Sequence, residues 1–478
     1  MSDSTLNTGL NAGLDAGSSK GLFGHPRGLA YIVFTEAWER FSFYGMQALL
    51  VLYMAGYLLH PGTVEHVIGF AGFRSVVESV FGSLSTQAFA SQVFGLYVGL
   101  VFFMPVLGGL LGDRLIGRRK AVVSGALLMA LGHFLMALEA AFLFALLALI
   151  LGSGLLKGNL AAQVGNLYDR SDPRRDAAFS IYCLGINLGA FVAPLVCGTL
   201  GELYGWHYGF AAAGIGMLLS ISIYLAGSRY LPPETKPGAK VAAQRLQRGD
   251  GKAVVALLVV LAFTSLYWVA QTQVWNTYAL WVRDRVDRGL FGMAIPVTWF
   301  QSIDFVAVVA LAPFILWFWR RQAARGTEPD DLTKITIGCG VFVVSCVWLA
   351  AAEVLSAGHS VALIWPLAFH VIGAFAYLYA VPIVLGLVSR SAPASVNAMM
   401  VGAYYLSIFV GGVGSGWLGR FYEKLTPQGF WLLHAAIAAA GPVLLLVFRR
   451  PLRRALKLDT EHVPPIATSI QSVASRLD

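Results

Sequence analysis

Three ionisable residues, Glu36, Glu39 and Arg40, stand inside residues 31–54, a stretch that is otherwise almost entirely apolar. At i, i+3 and i+4 they share one face of a helix. None lies near an end from which it could snorkel to water. A charge at the centre of a spanning helix costs about 2.5–3.5 kcal/mol on insertion scales, so such groups face a wet cavity and mark a pathway. A purely structural pair between Glu36 and Arg40 is the competing reading, and it leaves Glu39 without a partner. Deep inside other apolar blocks stand Lys157, Asn187, Gln271, Gln273 and Asp304, with Trp268 and Trp275 flanking the glutamines. A buried lysine or aspartate needs an opposite charge, a ligand or a change of protonation, which singles out Lys157 and Asp304. Asn187 serves equally well as a hydrogen bond across helices, and the glutamines and Trp268 serve equally well as packing.

These residue types at such depth suit the binding of protons and charged solutes rather than bond-making chemistry. No HExxH motif, no GxSxG motif and no His/Asp cluster lies within the apolar blocks. Of nine histidines only His133, His370 and His434 fall deep in apolar blocks, each isolated in sequence. Cys183, Cys197, Cys339 and Cys346 lie in apolar blocks without metal-ligand spacing.

The elements that must hold these residues are spanning helices. Of 478 residues 57% are hydrophobic and 12% charged, and mean hydropathy is +0.68. Apolar blocks recur along the whole length, the pattern of a polytopic membrane protein. Twelve blocks are expected: 28–59, 87–111, 119–140, 142–168, 176–199, 207–230, 253–282, 294–319, 333–355, 360–389, 392–419 and 427–449. Residues 64–81, between the first two, are patchily apolar and fit a surface helix. Residues 1–27 read as a disordered tail, and 450–478 as a basic tail at the membrane surface. The polar segment 231–252 is about as long as a single crossing needs, too short to hide a helix pair, and divides 28–230 from 253–449. The net charge of +9 does not point to nucleic acid. Of 34 Lys and Arg, 26 fall in the tails and even-numbered loops, which predicts both termini on the cytoplasmic side. The expected architecture is an all-α membrane protein of major-facilitator type, two six-helix bundles around a central site that alternates between faces.

The segment Glu36-x-x-Glu39-Arg40-Phe41-x-Phe43-Tyr44-Gly45 resembles the first-helix signature ExxERFxYYG of the proton-dependent oligopeptide transporters. The resemblance extends through Gly109-Leu-Leu-Gly-Asp113-Arg114-Leu-Ile-Gly117, Lys157-Gly-Asn159, residues 179–189 and Phe300-Gln-Ser, and so spans most of the chain. It implies proton coupling at Glu36, Glu39 and Arg40, and peptide contacts at Arg40, Lys157 and Asn187 with Tyr44 lining the pocket. It also implies symport of di- and tripeptides by a monomer in the cytoplasmic membrane, with protons as coupling ion and no other cofactor.

Several positions depart from the family pattern. Phe43 replaces the first Tyr of YYG, Phe102 a common pocket Tyr, and Gly95 a His of some animal relatives. The seventh-helix pattern W-x-x-F-E-Q reads Trp268-Val-Ala-Gln271-Thr272-Gln273, without the Glu, and Tyr377 stands where the tenth has the Glu that partners the lysine. Tyr404 replaces a Trp, and Asp304 an Asn. With two acids lost and one gained, Asp304 is expected to take over the anionic duty, by binding a substrate ammonium, by pairing with Lys157, or both, and to share in proton coupling. Trp268 and Gln271 complete the expected binding residues. The altered second half leaves open another small anion or zwitterion as cargo, and a membrane-embedded enzyme is the alternative from a different class.

Overall fold

A computed structural model of the chain describes residues 24–169, 172, 174–233 and 250–458. Twelve long helices carry it: α1 Arg27–Tyr53, α2 Thr86–Leu111, α3 Arg118–Leu135, α4 Phe142–Asn166, α5 Arg174–Ala193, α6 Trp206–Gly227, α7 Asp250–Gln271, α8 Trp299–Ala324, α9 Asp331–Leu355, α10 Ile364–Ser391, α11 Asn397–Gly419 and α12 Pro427–Val447. Eleven of the spans are long and apolar enough to cross a membrane. The exception is α3, only 18 residues long and opening on Arg118-Arg119-Lys120. With α3 counted as a crossing, the twelve helices put both ends of the described chain on one face, called here the terminal face.

Pro26 starts α1 from an extended backbone, with a φ of −55° that suits the ring. Beyond α1 the segment expected on the surface forms a separate helix, Phe70–Phe81, between Gly69 and Gly82 at φ +77° and +79°. The block read as one helix over 253–282 is broken. After Gln271 the chain tightens into a 3₁₀ turn, Thr272–Trp275, passes through Asn276 at φ −112°, ψ −112°, and resumes as Thr277–Arg285. A hairpin, β1 Gly289–Leu290 with β2 Met293–Ala294, then leads to α8. Most of the expected linker and tails (1–23, 234–249 and 459–478) lies outside the described residues.

The first six and last six helices meet along α2 with α11 and along α5 with α8. These are the second and fifth helices of each set, so the two seams correspond under a two-fold relation. The α2–α11 seam is backbone on backbone. A Cβ added to Gly95 would lie 2.3 Å from the Gly412 carbonyl oxygen and 2.8 Å from Gly416 Cα. A histidine has no room at position 95, which accounts for that departure from the family pattern.

Candidate functional site

On α1 the three charges form one cluster. Arg40 Nε donates to Glu36 Oε1 at 2.7 Å, Arg40 Nη2 lies 2.7 Å from the same oxygen, and Nε lies 3.1 Å from Glu39 Oε2. Both carboxylates are fully buried, and the Arg40 side chain is 12% exposed. Arg40 therefore answers both acids, and the simple Glu36–Arg40 pair is not the whole arrangement. The cluster is under-satisfied: Glu36 Oε2 and both Glu39 oxygens have no hydrogen-bond partner. Tyr182 of α5 and Tyr405 of α11 lie close enough to interact electrostatically with these groups.

Neighbouring helices hold α1 in place. Ser42 donates to the Ala213 carbonyl at 2.6 Å, and Ser220 to the Thr35 carbonyl at 2.8 Å, both between α1 and α6. On the α5 side the backbone lies flat on α1: a Cβ at Gly189 would sit 2.0 Å from the Ala37 oxygen and 3.1 Å from Arg40 Cβ. Glycine there sets how deeply Arg40 stands between the helices.

Lys157 of α4 is buried, and its Nζ has no hydrogen-bond partner. The ammonium sits 3.4 Å from the centroid of the Phe43 ring and 5.4 Å from that of Phe102. Such contacts contribute about 0.5–2 kcal/mol. The two rings are the two tyrosine positions at which this chain carries phenylalanine, so both departures meet at one cation. Beside them Tyr44 reaches the last six helices, with its ring 5.3 Å from Trp275 and 5.0 Å from Phe305.

Asp304 is bonded to His370 rather than to Lys157. His370 Nδ1 lies 2.5 Å from Asp304 Oδ1, and the Tyr278 hydroxyl lies 2.8 Å from His370 Nε2. His370 is fully buried and Asp304 is 20% exposed. The remaining expected residues are more dispersed. Asn187 spends its amide on its own helix, donating to the Cys183 carbonyl at 2.8 Å. Trp268 packs on Gly411 of α11 and edge-on to Tyr267 at 5.4 Å, and Gln271 is half-buried at the α7 break. Gln273 is the structural glutamine, donating to the Ser415 carbonyl at 3.0 Å and paired with His434 Nε2 at 2.9 Å. His434 Nδ1 in turn donates to the Phe430 carbonyl at 2.8 Å. Sequence reasoning missed His370 and Tyr278. Their one signal was an imidazole at depth, and its partners lie 66 and 92 positions away.

On the face away from the termini the two sets of helices are bonded together. The Glu202 carboxylate, just past α5, accepts from Val297 N at 2.8 Å, Thr298 N at 2.9 Å and Thr298 Oγ1 at 2.8 Å, capping the start of α8. Trp299 Nε1 donates to Thr199 Oγ1 at 2.8 Å, Ser302 to the Phe191 carbonyl at 2.8 Å, and Asn276 Nδ2 to the Ser91 carbonyl at 3.2 Å. Arg420 donates to the Phe81 carbonyl at 2.7 Å.

The first six helices thus gather buried cations and carboxylates around Arg40, and the last six hold one acid bonded to a histidine. Comparison with known proteins gives the family. The POT family model matches residues 119–248 and 239–432. The peptide transporter YePEPT of Yersinia enterocolitica is 28% identical over 90% of this chain and 95% of its own length. A di-/tripeptide transporter of Lactococcus lactis is 26% identical, over 91% and 97%. A crystal structure of the peptide transporter POT in complex with sulfate superposes with a TM-score of 0.80 at 27% identity, covering 93% of this chain and 99% of that one. The matched stretch takes in well over half of the 478 residues, and the chain belongs to the POT family of transporters in the major facilitator superfamily.

Proposed function

We propose that the protein is a proton-coupled symporter that imports di- and tripeptides by alternating access, as a monomer in the cytoplasmic membrane with both termini inside the cell. The bundles 28–230 and 253–449 rock about the site between them, joined by 231–252. One observation carries this reading above the rest: the ammonium of Lys157 and three carboxylate oxygens of Glu36 and Glu39 are buried without hydrogen-bond partners beside Arg40. Uncompensated groups in a low-dielectric setting cost several kcal/mol each, so the arrangement is suited to a charged ligand and to protons that arrive from outside.

A short peptide is a zwitterion, one carboxylate and one ammonium joined by a backbone of donors and acceptors. Arg40 and Lys157 suit the carboxylate, Arg40 through a two-pronged bond, and Asp304 suits the ammonium. Tyr44, Trp268, Asn187 and Gln271 complete the wall and tolerate varied side chains. With Glu36 and Glu39 ionised, Arg40 is held on α1; protonation weakens that hold and releases the guanidinium to the peptide. Protons are the only coupling agent this scheme uses. An inward gradient supplies about 2.3 kcal/mol per 100 mV and about 1.4 kcal/mol per pH unit.

The test is uptake of a labelled dipeptide into proteoliposomes with and without an inward proton gradient. Gradient-dependent accumulation, competed by other di- and tripeptides, is the expected result; no uptake by folded protein refutes peptide as cargo. A second reading, another small anion or zwitterion on the same scaffold, is favoured by Thr272 and Tyr377 at positions where the family pattern has acids. Screening solutes against the same liposomes separates the two.

A further inference from the structure

Three side chains, of which the scheme above uses only Asp304, form a continuous chain in the last six helices. Asp304 of α8 reaches His370 of α10 at 2.5 Å, and His370 reaches Tyr278, beyond the α7 break, at 2.8 Å. Two of the three are completely enclosed, and Asp304 alone is partly open, at 20%. The bond directions follow from chemistry. An ionised carboxylate only accepts, so Nδ1–H donates to it, and Nε2 is left to accept the Tyr278 hydroxyl proton. Every polar atom of imidazole and phenol is thereby used. Simple packing does not call for an acid, a base and a phenol from three helices in series.

We propose that Asp304, His370 and Tyr278 form a second proton-binding site of this carrier, in which Asp304 and His370 together take up one proton and Tyr278 links their charge state to the break in α7. The proposal rests on the transport reading above. It gives the last six helices a carboxylate that titrates, which Thr272 and Tyr377 at the two lost acidic positions do not supply, because neither an aliphatic hydroxyl nor a phenol of this kind carries a carboxylate's charge change near neutral pH. Loading adds H⁺ from water to Asp304, the exposed member, and takes the pair from a net charge of −1 to 0. The Nδ1–H bond to Oδ1 persists, and release to water reverses the step. The apparent affinity belongs to the pair, since acid and base are in direct contact.

The surroundings are consistent with one exchangeable proton. The ionisable groups facing Asp304 are His370, Tyr44 of α1, Tyr267 of α7 and Tyr278 beyond its break. None of these four is a lysine or arginine. Around His370 the packing is apolar: Phe369 lies 5.3 Å away, and Phe342 of α9 packs behind it at 6.5 Å. Glu353, already bonded to Arg285, reaches Tyr278 only through Trp281.

Tyr278 stands two residues after Asn276, where α7 breaks and where Asn276 Nδ2 bonds the Ser91 carbonyl of α2. It packs between Phe369, Trp281 and Trp431 at 4.9, 5.7 and 6.3 Å. A change of charge at the pair is thus two bonds from the segment that joins the two sets of helices on the face away from the termini.

The experiment compares Asp304→Asn, His370→Gln and Tyr278→Phe with the parent protein in proteoliposomes, reading peptide accumulation against external pH and gradient-free counterflow as a control for folding. His370→Gln is informative because an amide can keep both hydrogen bonds and cannot titrate. Expected are at least a tenfold loss of accumulation in Asp304→Asn, and, in His370→Gln with counterflow retained, an activity profile moved by about one pH unit or more to the acid side. Tyr278→Phe, which takes a donor away from Nε2, moves it by less and to the alkaline side. Parent-like accumulation in Asp304→Asn, or an unmoved profile in His370→Gln, overturns the proposal. Should His370→Gln fail to fold, the profile of Tyr278→Phe decides. If the parent moves no peptide, the transport reading fails and the site is tested without substrate, by potentiometric titration of purified protein between about pH 4 and 8. About one proton fewer per chain in Asp304→Asn than in the parent supports the site, and equal uptake removes it.

Discussion

The two walls of the site handle charge in opposite ways. On the first six helices, Glu36, Glu39, Arg40 and Lys157 are crowded together with four polar atoms left unmatched. On the last six, Asp304, His370 and Tyr278 satisfy one another in sequence. The first arrangement is costly as it stands and favours a visitor; the second is quiet as it stands and favours a change of one proton. Held against each other, they show two ways of keeping charge at depth: one wall leaves it open to a partner, the other closes it into a chain of bonds.

The strongest way to break that contrast is Arg40→Ala. It strands two buried carboxylates, a loss of about 3–5 kcal/mol, and should abolish transport and lower the melting temperature. A variant with parent-like stability would mean the acids are neutral without the arginine. Next in size, Glu36→Gln and Glu39→Gln should each abolish gradient-driven accumulation while sparing downhill exchange. Glu36→Gln should loosen Arg40 more, because Glu36 takes both 2.7 Å contacts and Glu39 only one at 3.1 Å. Intact accumulation in both variants ends the coupling role.

Lys157→Gln sharpens the contrast further. Its buried ammonium has no hydrogen bond to lose, so thermal stability should hold or rise. Peptide affinity, read by competition binding, should fall by about 10- to 100-fold, the equivalent of one charge-assisted bond of about 1.5–3 kcal/mol. Unchanged affinity would return the lysine to a packing role. The smallest effect is expected away from both walls, at Glu202→Gln. Weakening its cap on α8 by about 1.5 kcal/mol should enlarge, by close to tenfold, the population in which spin labels on the exposed Tyr204 and Leu290 stand farther apart. An unaltered distance distribution would show that the cap does not hold this face shut.

The helices were legible because each apolar block is long, and the α1 charges because three ionisable residues in one turn conflict with everything around them. Other features were hidden for physical reasons. Hydropathy reports depth and not azimuth, so Asp304 could be placed in the membrane but not aimed; it turned to His370 instead of Lys157. The break in α7 carries no glycine or proline at Thr272–Trp275 and arises from long-range bonds, Gln273 to Ser415 and Asn276 to Ser91. The same holds for Lys157: its loss of an acidic partner was readable from Tyr377, but its rest on Phe43 and Phe102 needed three helices brought together.

The bare seam between α2 and α11 has a mechanical consequence. With Gly95 against Gly412 and Gly416, the contact has no side chains to unlock there, so it can serve as a fulcrum. Displacement grows with distance from a fulcrum, and a small roll at this seam becomes a wide opening at the ends of the helices. A methyl group at Gly95 would act as a wedge under the bearing. It would jam the motion without touching a charge, a proton or the cargo.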